Sequence, residues 1–139
     1  MKKALFYCLL LSLVILQSCN KKDPILPNYP IEGFWIGTYN IIEAAESGDS
    51  FYYSFFIRRD DSIQVHSLGA DGNTYYGIGT WALADSTFQA TFTTTNSSQT
   101  GIVQTATAIY DRKKGELRNG IVQTPGEFFK ASFNLTRTN

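Results

Sequence analysis

From residue 32 onward, hydrophobic and polar residues of this chain alternate with a period of two, which is typical of half-buried β-strands. The alternation predicts eight strands, at about 34–42, 50–58, 62–68, 74–83, 87–94, 100–110, 116–123 and 127–137. Turn-forming pairs separate several of them, such as Asp60-Asp61, Asp85-Ser86 and Pro125-Gly126. Long runs with the 3.6-residue period of a helix are absent, so the sequence predicts an all-β domain.

The short loop Asp85-Ser86 fixes the register of the two strands that it joins. It predicts three cross-strand pairs: Leu83 with Phe88, Trp81 with Ala90, and Gly79 with Phe92. Large side chains then face smaller ones on successive rungs, as a packed interior requires. The same reasoning for the sixth and seventh strands predicts Gln104 opposite Gln123 and Ala108 opposite Asn119.

The arrangement of the strands favours an antiparallel up-and-down barrel. Eight sequential strands with short connections and one apolar face each have no helix to cover them, and closure removes exposed sheet edges. A two-sheet sandwich is the alternative, but it usually needs a long crossover connection. In a barrel the tight turns near 60, 85 and 113 lie at one end, where the chain also enters. The longer connections at 43–49, 69–73 and 95–99 lie at the other end and predict a mouth there.

The first residues have the organisation of a secretory signal. Lys2 and Lys3 precede 13 largely apolar residues, 4–16, a run shorter than the roughly 20 that cross a bilayer as a helix. The following Leu16-Gln17-Ser18-Cys19 resembles the lipobox of bacterial lipoproteins. That resemblance implies that residues 1–18 are removed and that Cys19 is acylated with chains such as palmitate. An ordinary secreted protein with a chance cysteine is the alternative.

Residues 19–31 then form a tether between the lipid and the barrel domain, residues 32–139. Pro24, Pro27 and Pro30 lack amide donors and favour an extended spacer. Several acyl chains hold a protein stably on a membrane, which is therefore an expected partner. Asn20 is not the aspartate linked to inner-membrane retention in some bacteria, so we expect the bacterial outer membrane. Its periplasmic and surface faces both stay open, and the barrel mouth should point away from the membrane.

The start of the first strand resembles a known family. Gly33-Phe34-Trp35 resembles the G-x-W motif of lipocalins, and Gly33 to Tyr39 is similar to the G-x-W-x-G-x-Y pattern of short lipocalin-like lipoproteins of the Bacteroidetes type. The resemblance implies that Trp35 plugs the closed end and that Arg137, in the last strand, lies over it. Such a cation–π contact contributes about 1 kcal/mol. The chain lacks the disulfide and C-terminal helix of classical lipocalins, and avidin-type barrels are closer to it in length.

Composition and charge narrow the function. Without Lys2 and Lys3 the chain has 10 basic and 12 acidic residues, a net charge of −2, and no basic stripe for nucleic acid. Cys8 is lost with the signal and Cys19 is acylated, so neither a disulfide nor a thiol nucleophile is expected. The only histidine, His66, faces outward by parity. We therefore expect no metal centre, no cofactor and no enzymatic activity.

Near the predicted mouth, the inward-facing residues become polar. These candidate ligand-binding residues are Tyr53, Tyr75, Thr94, Gln104, Asn119 and Gln123. A few convergent polar groups in an apolar pocket are typical of a ligand site. The sequence thus predicts a membrane-anchored envelope lipoprotein that binds a small, partly apolar ligand. The alternative is a filled-core barrel that acts as a structural or protein/glycan interaction module, and the size of the internal cavity separates the two.

Overall fold

A computed structural model of the chain describes residues 29–42, 49–96 and 101–138. It contains eight strands: β1 (Gly33–Ile41), β2 (Phe51–Ile57), β3 (Ser62–Leu68), β4 (Thr74–Ala84), β5 (Thr87–Thr95), β6 (Ile102–Asp111), β7 (Glu116–Gln123) and β8 (Lys130–Arg137). Each strand pairs with the next, and β8 pairs with β1, so the sheet is a closed barrel. The predicted all-β, antiparallel up-and-down barrel is confirmed, and the sandwich alternative is wrong.

Part of the N-terminal prediction falls outside the structure. The signal segment 1–18, Cys19 and most of the tether lie outside the described residues. Within the ranges that are described, no helix has the length and apolar character needed to cross a membrane.

The predicted strand limits agree with the structure to within two residues, except at the start of β8. That strand begins at Lys130 because the preceding residues form a hydrogen-bonded loop. Thr124 N donates to Phe129 O at 3.1 Å, and Glu127 N donates to Thr124 O at 3.2 Å. These two bonds satisfy the backbone locally, so Glu127 to Phe129 do not join the sheet.

The β4–β5 pairing follows the predicted register. Leu83 faces Phe88, Trp81 faces Ala90 and Gly79 faces Phe92. A side chain at position 79 has no room, because a Cβ built there lies 2.0 Å from Thr91 O and 2.5 Å from Phe92 Cα. The small residue therefore allows β4 and β5 to approach closely around the buried Phe92 ring.

The alternation of β7 is interrupted, and part of the prediction there is wrong. Leu117 is buried as predicted, but the register shifts between Leu117 and Gly120, and Asn119 has a φ of 51°. The β6–β7 ladder also shifts between Thr107 and Ile109. An extra residue in a bulge inverts the inside–outside parity of everything that follows.

The inversion corrects two candidate ligand residues. Asn119 and Gln123 are both exposed, and Gln123 pairs with Thr105 rather than with Gln104. The inward positions after the bulge are Gly120, Val122 and Thr124. The predicted pairs of Gln104 with Gln123 and of Ala108 with Asn119 are therefore wrong.

Trp35 lies fully buried at the end of the barrel where the chain enters. Its Nε1 donates to Ile31 O at 2.7 Å, and its ring meets that of Tyr110 edge-on with centroids 6.0 Å apart. The Tyr110 hydroxyl donates to Tyr29 O, while Tyr29 N donates to Arg112 O at 3.0 Å. The segment from Tyr29 to Glu32 is thereby fastened across the barrel end that carries the tight turns.

Arg137 closes the same end through hydrogen bonds. It pairs in register with Trp35, and its Nε and Nη2 donate to Glu32 O at 3.3 and 3.2 Å. The expected cation–π contact between Arg137 and Trp35 is not found within the described residues, in which Arg58 lies over the Phe56 ring. The backbone carbonyl of Glu32 is the stronger acceptor for the guanidinium here, since charge-assisted bonds are worth more than exposed cation–π contacts.

Candidate functional site

The opposite end of the barrel contains a cavity of about 330 Å³. It lies between the β3–β4 connection and the β7–β8 connection, the end that was predicted to be the mouth. This volume falls at the small end of the range of ligand pockets. The interior is therefore filled at the Trp35 end and open at the other.

Four of the six predicted ligand residues line this cavity: Tyr53, Tyr75, Thr94 and Gln104. Asn119 and Gln123 do not line it, because the β7 bulge turns both outward. The apolar part of the lining includes Ile41, Ile102, Val122 and Phe129. The cavity thus has the mixed apolar and polar lining of a small-molecule site.

Tyr53 belongs to the inner part of the lining. Its side chain is 3% exposed, and its ring packs edge-on against Phe55 at 4.8 Å and Phe133 at 5.4 Å. Its hydroxyl is buried and has no hydrogen-bond partner among the described residues. Burial raises the pKa of Tyr53 well above its ordinary value, so the group is a neutral hydroxyl that both donates and accepts.

Tyr39 stands beside Tyr53 but is already satisfied. The two ring centroids are 5.4 Å apart, and the Tyr39 hydroxyl donates to Leu68 O at 3.1 Å. Burial, with smaller contributions from Tyr75 and Asp71, raises the pKa of Tyr39 to about 12. Since its donor is used by the barrel wall, Tyr39 supplies mainly ring surface to the cavity.

An ionised carboxylate lies at the rim, in the β3–β4 connection. Asp71 Oδ1 accepts from Asn73 N at 3.0 Å, and Oδ2 accepts from Asn73 Nδ2 at 2.7 Å and from Tyr75 OH at 2.9 Å. The bonds from Asn73, followed by the one from Tyr75, hold the pKa of Asp71 below its ordinary value. Its negative charge is therefore fixed at the mouth.

The remaining polar groups lie on the walls. Thr94 Oγ1 donates to Ile102 O at 3.2 Å, across the β5–β6 ladder. Gln104 is half-buried and lines the cavity, and its amide makes no hydrogen bond within the described residues. Its donor and acceptor are thus both available to a bound molecule.

Sequence reasoning missed several lining residues: Ser67, Asp71, Thr124 and Glu127. The parity of Thr124 is readable only once the β7 bulge is known. The Asn119-Gly120 pair, a turn dipeptide inside a strand pattern, is the sequence signal that indicates such a bulge.

His66 takes no part in the cavity. Its ring stacks on Tyr76 on the outer wall, with centroids 4.7 Å apart and planes 8° apart. Within residues 29–42, 49–96 and 101–138, no three His, Cys, Asp or Glu side chains are grouped so that they could hold a metal ion. Polar side chains do come together at the cavity, where Tyr53, Tyr75, Thr94 and Gln104 lie in its lining.

The fold and the site define a small up-and-down β-barrel that is closed at one end and has a partly polar cavity at the other. No protein-family model matches the chain, and comparison with curated protein sequences finds no significant match. The function of the protein is therefore inferred from the cavity and its side chains.

Proposed function

We propose that this protein is a binding protein, not an enzyme, which holds one small, partly apolar molecule in the mouth cavity. The observation that carries the proposal is the buried hydroxyl of Tyr53, which has no hydrogen-bond partner in the described part of the chain and belongs to a residue that lines a cavity of about 330 Å³. Buried polar groups are nearly always hydrogen-bonded, and an unsatisfied one costs about 1–3 kcal/mol. The hydroxyl is covered in this structure, so a ligand must shift the lining in order to place an acceptor against Tyr53 and recover that free energy.

The cavity lining supports a ligand that is apolar along most of its length. Ile41, Ile102, Val122 and Phe129 offer aliphatic and aromatic surface, which releases water when it is covered. The Gln104 amide adds a donor and an acceptor on one wall. Few polar groups at fixed positions fix the orientation of such a ligand rather than supply most of its affinity.

The proposal places the barrel in the cell envelope, as a lipocalin-like lipoprotein anchored to the outer membrane through acylated Cys19. Tyr29 is fastened to the closed end, opposite the cavity. A tether that leads from Cys19 to this end points the mouth away from the membrane. A soluble small molecule then reaches the cavity by diffusion.

One observation favours a second function, that of a protein or glycan interaction module. Phe128, in the β7–β8 connection at the mouth, is 92% exposed. Its exposed aromatic ring offers apolar surface that a partner could cover. A partner bound there would cover Phe128 without entering the cavity.

Native mass spectrometry tests the proposed function on a chain that begins at residue 20, which retains all eight strands and the core. Purified from its own host, this chain is expected to carry a small molecule, and the corresponding metabolite should raise its melting temperature. Tyr53→Phe combined with Gln104→Leu should abolish both effects. Gln123→Leu is the matched control, because Gln123 faces outward and should leave binding unchanged.

A clean unliganded mass, with no thermal shift across a metabolite panel, would contradict ligand binding. If Phe128→Ser then abolished capture of an envelope protein or glycan, the interaction module would be the better function. The anchor is tested separately by labelling cells with an alkynyl palmitate analogue. Label is expected on the wild-type protein and not on Cys19→Ser, and its absence from both would refute acylation.

A further inference from the structure

We infer that the ligand of this cavity carries a protonated amine, which lies at the mouth against the Asp71 carboxylate, and a hydrogen-bond acceptor at its inner end, which meets Tyr53. This inference rests on the proposed function and narrows it to one chemical class. The class is a small ammonium compound with an aromatic or alicyclic body. It excludes fatty acids and other anionic amphiphiles as the preferred ligands.

The charged residues that line the mouth are negative. Among the described residues, the charged side chains that line the cavity are Asp71 and Glu127, both acidic. Lys130, at the start of β8, is exposed and pairs with the outward-facing Gln123, and it does not line the cavity. A ligand carboxylate would meet like charge from these lining residues, whereas an ammonium group would meet opposite charge.

Hydrogen bonds fix the orientation of the Asp71 carboxylate. Its two oxygens are held by three hydrogen bonds from Asn73 and Tyr75, all from uncharged donors. These bonds orient the carboxylate without neutralising it. An incoming N⁺–H donor therefore meets a preorganised acceptor and does not have to order a free side chain.

Aromatic side chains also line the cavity. Tyr39, Tyr75 and Phe129 line the cavity together with the acids. Aromatic faces attract cations through their quadrupole, and aromatic groups combined with a carboxylate are a common arrangement around ammonium groups. The same faces give a carboxylate no such attraction.

The two ends of the cavity differ in charge and in burial. The Tyr53 hydroxyl is buried and uncharged, with no partner in the described residues, so the inner end accepts a neutral polar group. Burying an ammonium group beside it would cost several kcal/mol without a paired charge. The cation is therefore placed at the exposed rim and the neutral acceptor at the inner end.

Three probes that share one naphthyl body test the inference: 2-naphthylethylamine, 2-naphthylethanol and 2-naphthylacetate. Isothermal titration calorimetry at pH 7 and low salt measures each dissociation constant with the chain that begins at residue 20. One ion pair at about 4 Å in water is worth about 1 kcal/mol, so the amine should bind about fivefold more tightly than the alcohol. The carboxylate should bind more weakly than the alcohol.

Two variants assign the effect to one residue. Asp71→Asn should remove the advantage of the amine, so that the amine and the alcohol bind this variant with similar dissociation constants. Asp60→Asn is the matched control, because Asp60 is also an exposed turn acid that accepts bonds two residues ahead, from Ser62, but it lies at the closed end. Raising the salt to about 1 M, where the Debye length is about 3 Å, should weaken binding of the amine alone.

The results distinguish a failure of the amine preference from a failure of ligand binding. If the alcohol binds as tightly as the amine, or the carboxylate binds most tightly, the amine inference is overturned and the binding cavity stands. If Asp60→Asn reduces amine binding as much as Asp71→Asn does, the charge acts at long range and the assignment to the mouth is wrong. If none of the three probes binds, the amine inference is overturned for a body of this size, while the proposed function is decided by the native mass measurement.

Discussion

Tyr39 and Tyr53 lie ring against ring, 5.4 Å apart, yet their hydroxyl groups have opposite fates. The Tyr39 hydroxyl donates to Leu68 O at 3.1 Å, whereas the Tyr53 hydroxyl is buried with no partner among the described residues. Two like side chains, one satisfied and one not, give an internal comparison for the energetics of the site.

Tyr53→Phe should stabilise the unliganded barrel by about 1 kcal/mol, because it removes a buried hydroxyl that lacks a partner. Urea unfolding followed by tryptophan fluorescence measures the change. Tyr39→Phe is the control and should destabilise by about 1 kcal/mol, since it leaves Leu68 O without its donor. Destabilisation by Tyr53→Phe would show that its hydroxyl is bonded in solution, for instance to a buried water.

Alkaline pH should unfold the barrel through the same pair. The pKa of Tyr39 is raised from 10.0 to about 12, and burial raises that of Tyr53 well above its ordinary value of 10.0. Both groups therefore bind protons more tightly in the folded state, so their contribution is complete below pH 10 and is lost as the pH rises towards 12. The melting temperature should fall in that window, and the double variant with Phe at both positions should flatten the fall. An unchanged alkaline limb in that variant would assign the loss to other groups.

Gly79→Ala should destabilise the barrel by more than about 3 kcal/mol, because the added methyl group meets the backbone of Thr91 and Phe92 rather than a flexible side chain. Gly72→Ala is the matched control. A Cβ at residue 72 meets nothing within 4 Å, and its φ of +77° costs about 1 kcal/mol of strain. Equal losses at the two glycines, measured by urea unfolding, would mean that β4 and β5 do not approach as closely as described.

Arg137→Met should cost roughly 1–2 kcal/mol, because the aliphatic stem is kept while both bonds to Glu32 O are lost. Hydrogen exchange near residues 29–34 should accelerate as the closed end loosens. Arg118→Met provides the comparison, since the Arg118 side chain is 49% exposed and lies 3.8 Å from Asp111, a pair worth under about 0.5 kcal/mol. Slow exchange at 29–34 in Arg137→Met would show that other contacts hold the segment.

Much of the fold is readable from the sequence, because one residue in two points inward along most strands. The turn at Asp85-Ser86 sets the β4–β5 register, and the buried alternation of Phe88, Ala90 and Phe92 follows it. The same rule fails in β7, where a bulge at Asn119 adds a residue and exchanges the two faces. Parity is a local rule, and one inserted residue misplaces every later residue of that strand.

The candidate site was predictable only in part for the same reason. Tyr53, Tyr75, Thr94 and Gln104 lie on uninterrupted strands, and parity places them in the cavity. Asp71 lies in a connection, where its orientation depends on the bonds from Asn73 and Tyr75 and not on any period. The acylation of Cys19, its membrane and the ligand remain predictions, since they concern chemistry outside the described fold.

The pairing of β8 with β1 closes the sheet into a ring, and this limits the range of ligand shapes that the cavity can accommodate. A closed ladder has a set circumference, so the bore does not widen to admit a broader molecule. What can vary is depth, which depends on the size of the side chain at position 53 and on the aromatic block of Phe55 and Phe133 packed against it. Replacing Tyr53 with a smaller residue would deepen the cavity while leaving the circumference of the barrel unchanged.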